Sequence, residues 1–266
     1  MKKFFIASLV IFALGITAFS FRGPIRDTLD SLGEEAVPEA VTYDAIQEQQ
    51  PLDTLPNTQE GDVLGEEAAE TAPVTIPATM NLDVPFTSQA PSANWDEVHE
   101  DTCEEASLLM IHRFYENKPF ANAQDADAEL LALVDFENER FGDYKSTNAE
   151  DTATMIREYY GYTNVAVVYD ITMNDVKREV AQGRPVLLLA AGRELGNPNF
   201  TGSGPLYHAL VVKGWTETEI ITNDPGTRKG HEYRYDPDVL MNAVHDWNNG
   251  DPANGRRVMI VMHPNP

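Results

Sequence analysis

The chain holds a single cysteine, Cys103, and the residues that follow it are of the kinds that turn a thiol into a nucleophile. Cys103 comes after a polar stretch, 94–101, and opens the segment TCEEASLLMIHRFYEN, whose apolar residues at 106, 109, 110 and 114 have the spacing of one helical face. A helix N-terminus favours a thiolate through its unpaired N–H groups and its dipole, and it offers the same N–H groups to an oxyanion. Farther along, LYHALVVKGW puts His208 at the opening of a strand, and TNDPGT puts Asp224 at the end of the next. If these strands pair through the loop 216–218, the two side chains share one end of a sheet. A thiol acts best when a histidine takes its proton, and the imidazole needs a carboxylate or an amide to fix its tautomer; Asn223, beside Asp224, is the alternative amide. Each signal is weak singly. A lone cysteine is most often a small buried hydrophobe, a histidine at a strand edge is commonly a satisfied structural residue, and Asp-Pro-Gly is an ordinary turn. In the order Cys, His, Asp they point together to nucleophilic catalysis.

Several elements must position these groups. The patterning predicts helices over 102–117, 125–139, 148–160 and 174–182, with Asp101 or Thr102 as N-cap of the first and Glu104 and Glu105 in its first turn. Strands are predicted over 165–169, 185–191, 208–215, 219–222, 232–235 and 257–262, with a helix over 237–247. Helices followed by mostly hairpin-connected strands indicate an α+β fold with an antiparallel sheet. No glycine-rich turn follows a strand and opens a helix, which argues against a nucleotide fold.

The surrounding composition bounds the rest. Of 266 residues, 43 are acidic and 19 basic, a net charge of −24, so a phosphate backbone would be repelled and no nucleic-acid partner is expected. One cysteine excludes an internal disulfide framework and a multi-cysteine zinc site. Residues 1–22 carry Lys2 and Lys3, then an uncharged apolar run over 4–21. This reads as an N-terminal signal-anchor that leaves the remainder outside the cytoplasm, with a cleaved signal peptide and a secreted product as the alternative. Residues 23–80 read as an acidic disordered linker, because 27–80 hold 13 acids, no Lys or Arg, five prolines and one aromatic residue. Residues 81–266 hold all three tryptophans and nine of ten tyrosines and form the folded domain. Its 30 acids and 15 bases favour basic substrates only so far as that surface charge extends into the site.

The segments VPFTSQAPSANWDE, DTCEEAS, YHALVVKGW and NDPGT resemble the peptidase family thirty-nine-like domains of the papain-like fold, relatives of the bacteriocin-processing double-glycine leader peptidases. The resemblance covers roughly 81–266 and is most specific over 85–89, 103–107 and 208–214. It implies a nucleophile at Cys103, a general base at His208 and an orienting acid at Asp224. It also implies an oxyanion donor at Gln89, 14 positions before the cysteine. An amide N–H aimed at a developing oxyanion is worth ~3 kcal/mol of transition-state stabilisation. One departure stands out. Many relatives carry Gly-Pro directly after the cysteine, whereas this chain carries Glu104-Glu105, two carboxylates that oppose thiolate formation unless they face away.

The expected function is an extracytoplasmic cysteine peptidase acting on a peptide or protein substrate through an acyl-enzyme. The alternatives are a papain-like surface domain that binds peptides or cell-wall fragments without turnover, and a cell-wall amidase or acyltransferase using the same triad. No cofactor is implied. His99, His112, His231, His245 and His263 share no close metal-ligand spacing, so no catalytic metal is expected. Trp95 either walls the cleft or packs beneath its loop. The glycine-rich segment 192–204 reads as a rim of the substrate groove or as a plain surface loop.

Overall fold

A computed structural model describes residues 35–49 and 74–265. By its internal contacts the chain divides between Ala36 and Val37, and every element named below belongs to the second unit. The predicted signal-anchor at 1–22 lies outside the described residues, among which no helix is long and apolar enough to cross a membrane.

In chain order the elements are α1 (Tyr43–Gln49), β1 (Met80–Asn81), α2 (Cys103–Tyr115), α3 (Ala123–Arg140), α4 (Ala149–Glu158), β2 (Asn164–Tyr169), α5 (Met173–Ala181), β3 (Val186–Ala191), β4 (Tyr207–Trp215), β5 (Ile220–Asn223), β6 (Tyr233–Tyr235), α6 (Pro237–Ala243) and β7 (Val258–His263). The described strands make one sheet in the order β2-β7-β3-β4-β5-β6, with β1 added to β4, and every pairing is antiparallel. The α+β class with an antiparallel sheet therefore holds. β3 and β4 are buried along their whole length, as their near-continuous apolar sequences require.

α2 packs against β4. Its expected single apolar stripe proves to be wider. Leu108, Leu109, Met110 and Ile111 are all fully buried, so the helix is enclosed rather than half-exposed. Burying each such side chain is worth roughly 1.5–3 kcal/mol. Arg113, on the same helix, is buried with its guanidinium on Glu129 and Asp125 of α3, which is how a cation survives there. At α4 the Asn148 side chain accepts from the Glu150 and Asp151 N–H groups, and at α5 Thr172 and Asp175 form a capping box.

Two expectations change. First, the linker assigned to 23–80 is not uniformly without structure. Val41 bridges Leu82, exchanging backbone hydrogen bonds with Asn81 and Asp83, and α1 follows. Tyr43 sets its ring edge-on to Phe114 and Tyr115 at 5.6 and 5.1 Å, and Ile46 is buried. A few apolar side chains among acids suffice to pack this segment on the domain, Tyr43 against the end of α2 and Ile46 beside Gly183, and the acidic composition concealed them. Second, the helix predicted over 237–247 ends at Ala243, because Val244 bridges Ala190 and the His245 N–H donates to Leu189 O at 2.9 Å. The C-terminal strand β7 inserts between β2 and β3. One glycine is fixed by this architecture: a Cβ on Gly214 would lie 2.1 Å from Met80 O, so only glycine lets β1 lie on β4.

Candidate active site

Cys103 is the first residue of α2, and Thr102 stands at the N-cap position without capping. The Thr102 hydroxyl instead donates to Gln89 O at 3.2 Å, tying the segment before the helix to its start. His208 is the second residue of β4, and Asp224 follows the last residue of β5. The β4–β5 pairing, with its register shift between Val212 and Gly214, brings the two to the same end of the sheet. Since α2 packs on β4, one cleft is lined by Cys103, His208 and Gln89 together. Its volume is about 730 Å³.

His208 and Asp224 are joined: His208 Nε2 lies 2.7 Å from Asp224 Oδ1. Asp224 is completely buried and its other contacts are all donors. The Gly226 N–H donates to Oδ1 at 2.9 Å, while Tyr235 Oη and Asn197 Nδ2 donate to Oδ2 at 2.6 and 3.0 Å. Burial alone would push this carboxyl up. The charge of His208 and the hydrogen bonds from His208, Tyr235 and Gly226 outweigh that and hold it below the usual carboxylate range. An ionised Asp224 places the ring proton on Nε2, which leaves the Nδ1 lone pair to act as a base. Gly226 also crowds the ring: a Cβ there would come within 2.8 Å of His208 Cε1 and of Phe200 Cε1. Phe200 itself sits edge-on to the imidazole at 5.2 Å.

Gln89 is buried and held on three sides. Its N–H donates to Pro225 O at 3.0 Å, its carbonyl accepts from Thr102, and its Nε2 donates to His99 O at 2.8 Å. A carboxamide nitrogen carries two hydrogens, so one remains beyond the His99 contact. The His99 ring lies between Asp96 and Asp127, at 2.7 and 2.9 Å, and these carboxylates raise its pKa against the opposing effect of burial.

The thiol has a different partner from the one expected. Cys103 Sγ donates to Glu104 Oε2 at 3.0 Å. Burial, followed by the charge of Glu104, pushes the Cys103 thiol well above its ordinary value, while a backbone hydrogen bond from Ala209 acts the other way. Glu104 and Glu105 do not face away into solvent; both are fully buried. Burial raises Glu104 to about 8 and raises Glu105 well above the carboxylate range, with Glu137 of α3 adding to both. Unprotonated, Glu105 would have no donor on either oxygen. With one proton shared, Glu105 and Glu137 satisfy each other, while Thr147 donates to Glu137 Oε1 at 2.6 Å.

Asn223 does not join His208: its Nδ2 donates to Val84 O at 3.0 Å and so fixes the segment leading to Gln89. Trp95 lines the cleft and is 40% exposed, which makes it a wall rather than a packed support. The segment 192–204 supplies Pro198, Asn199, Phe200 and Thr201 to the rim. Asn197 and Tyr235, the second layer behind Asp224, lay in a loop and a strand with no signal beyond residue type. The ionisable rim consists of Glu100, Arg228 and Lys229, so the acidity of the whole domain does not extend to the cleft.

The model of the Peptidase C39 like family matches residues 81–251. Among solved structures, the chain is similar to a protein from Bacillus anthracis named as a C39-like peptidase, at 13% identity and a TM-score of 0.45, covering 70% of this chain and 98% of that one. No curated protein matches. A cysteine at a helix start packed on an antiparallel sheet that carries a histidine is the α+β papain-like arrangement.

Proposed function

The chain belongs to the Peptidase C39 like family, and we propose that it hydrolyses peptide bonds through an acyl-enzyme on Cys103. Its substrate lies in the cleft with the scissile carbonyl over the sulfur. His208 Nδ1 takes the thiol proton, the sulfur forms a bond to the carbonyl carbon, and the carbonyl π electrons move onto oxygen. Gln89 Nε2–H and the Cys103 backbone N–H stabilise that oxyanion. As the oxyanion collapses, the C–N bond breaks and the amine leaves with the proton from His208. Water then attacks the thioester with His208 again as base, releasing the acid and restoring the thiol. Asp224 keeps the ring oriented and its Nε2 protonated throughout.

The observation that carries this reading is the contact of His208 Nε2 with a carboxylate that three further groups hold ionised. The two basic side chains at the rim, Arg228 and Lys229, support a substrate with acidic side chains, against the preference for basic ones that overall charge suggests. The uncharged run behind Lys2 and Lys3 supports a place outside the cytoplasm, tethered to the membrane.

A second reading, a groove that binds peptides without turnover, draws on the thiol's hydrogen bond to Glu104 and its raised pKa. Incubation with a peptide library separates the two. Cleavage that disappears in Cys103→Ala establishes the peptidase; retention of peptides by both proteins with no cleavage establishes the binding module.

A further inference from the structure

Hydrolysis as described gives Glu104 no part, yet its carboxyl lies in hydrogen-bond contact with the reacting atom. Oε2 lies 3.0 Å from Cys103 Sγ, the side chain is fully buried, and Oε1 has no hydrogen-bond partner. A carboxylate in that setting costs several kcal/mol, which a neutral acid avoids. A neutral acid can also do what a carboxylate cannot, which is donate a hydrogen bond to a thiolate.

We propose that Glu104 is a further catalytic residue of the same site: in its acid form it donates to the Cys103 thiolate, and in its ionised form it takes the thiol's hydrogen bond and holds the sulfur inactive. This rests on the peptidase reading for its purpose but concerns the sulfur alone. The protons balance within the pair and the imidazole. In the active state the thiol proton moves to His208 Nδ1 while Glu104 keeps its own, and the O–H···S⁻ bond stabilises the nucleophile. Formation of the thioester removes the sulfur's negative charge and weakens that bond. It is regained when the thiolate leaves during deacylation.

The surroundings favour the acid form. The groups facing Glu104 are Glu137 from α3, Asp101 from the turn before α2, Tyr207 from β4, and Cys103 and Glu105 on α2 itself. All are acids, a phenol or a thiol. Glu104 is accordingly raised to about 8, so that near neutral pH it carries its proton and above that it loses it. The sign follows: reactivity of the sulfur is supported below that value and suppressed above it.

The test is the rate of alkylation of Cys103 by iodoacetamide in the full chain between pH 6 and 10, for the native protein and for Glu104→Gln. The amide of glutamine donates to sulfur at every pH. The native rate is expected to fall above pH 8, and at pH 9 the variant should label about tenfold faster, the ratio set by one ionisation near 8. Coincident profiles for the two proteins overturn the proposal. If the variant does not fold, the native profile alone decides: a rate that climbs steadily with pH through 9 is the behaviour of an unassisted thiol and contradicts the role. Because alkylation needs no turnover, either result stands whether or not peptides are cleaved.

Discussion

Tyr235 Oη donates to Asp224 Oδ2 at 2.6 Å, on the oxygen opposite the one held by His208. The phenol, with Asn197 Nδ2 beside it, adds to the effect of His208 in keeping a completely buried carboxylate ionised, and among the described residues no Lys or Arg pairs with it. The orientation of the His208 ring therefore rests on a hydrogen-bond network rather than on an ion pair with a permanent cation.

Removing that hydroxyl in Tyr235→Phe leaves Oδ2 with Asn197 alone. A hydrogen bond to a charged group is worth roughly 1.5–3 kcal/mol, and stability should fall by about that amount in urea unfolding. Loss of the bond raises the Asp224 pKa. The acid limb of kcat/KM should then move to higher pH, since activity that requires ionised Asp224 is lost as pH falls through its folded pKa. An unmoved acid limb would show that Tyr235 only packs.

Gly226 lets the chain pass beside the imidazole. In Gly226→Ala the new methyl would meet His208 Cε1 and Phe200 Cε1 at 2.8 Å, and the ring must shift. A displacement of a catalytic group by a fraction of an ångström to one ångström costs on the order of 10- to 100-fold in rate. We expect that loss in kcat/KM with a thermal midpoint changed by only a few degrees. Full activity would mean that the ring position is not critical.

The buried carboxyls set a pH dependence of stability. Glu104, Glu105 and Glu137 all have folded pKa values above the unfolded one. Their favourable contribution is complete below the unfolded value near 4.5 and is lost as pH rises through the folded values. Each contributes up to ~1.4 kcal/mol per pH unit inside that window. His99, also raised, acts in the same direction above its own unfolded value. The thermal midpoint should therefore fall from pH 5 to 8, and Glu137→Gln should flatten the slope. An equally steep slope in the variant would remove Glu137 from the account.

The rim charges bear on substrate choice. Arg228 and Lys229 are exposed, so each contributes no more than about 1 kcal/mol to a bound carboxylate. Reversing both, as Arg228→Glu with Lys229→Glu, should raise KM several-fold for peptides with acidic residues near the cleaved bond and lower it for basic ones. Equal changes for both substrate types would place these residues outside the contact surface.

The legible part of the fold was local. Apolar periodicity located α2, α3, α4, α5 and every strand of three residues or more to within a residue or two, and the β4–β5 hairpin suffices to put His208 beside Asp224. What stayed hidden was non-local. β7 enters between β2 and β3 because of a pairing that no neighbouring residue encodes. The acids around Tyr43 and Ile46 hid a packed segment, since composition averages over the few side chains that make the contact. At the site, residue types and the family resemblance pointed to Cys103, His208, Asp224 and Gln89 as candidates but not to the groups behind them. Tyr235 and Asn197 meet Asp224 only through folding, and the direction of Glu104, toward the sulfur and into the interior, is decided by the packing of α2 on α3 and β4.

If His208 activates Cys103, the reactivity of the sulfur must depend on the imidazole. With a single cysteine in the chain, alkylation by iodoacetamide at pH 7 reports on that sulfur alone. The native protein should label at least about a hundredfold faster than a folded His208→Ala variant, the lower end of what a positioned base contributes. Equal labelling of the two at the slow rate of a buried thiol would contradict it.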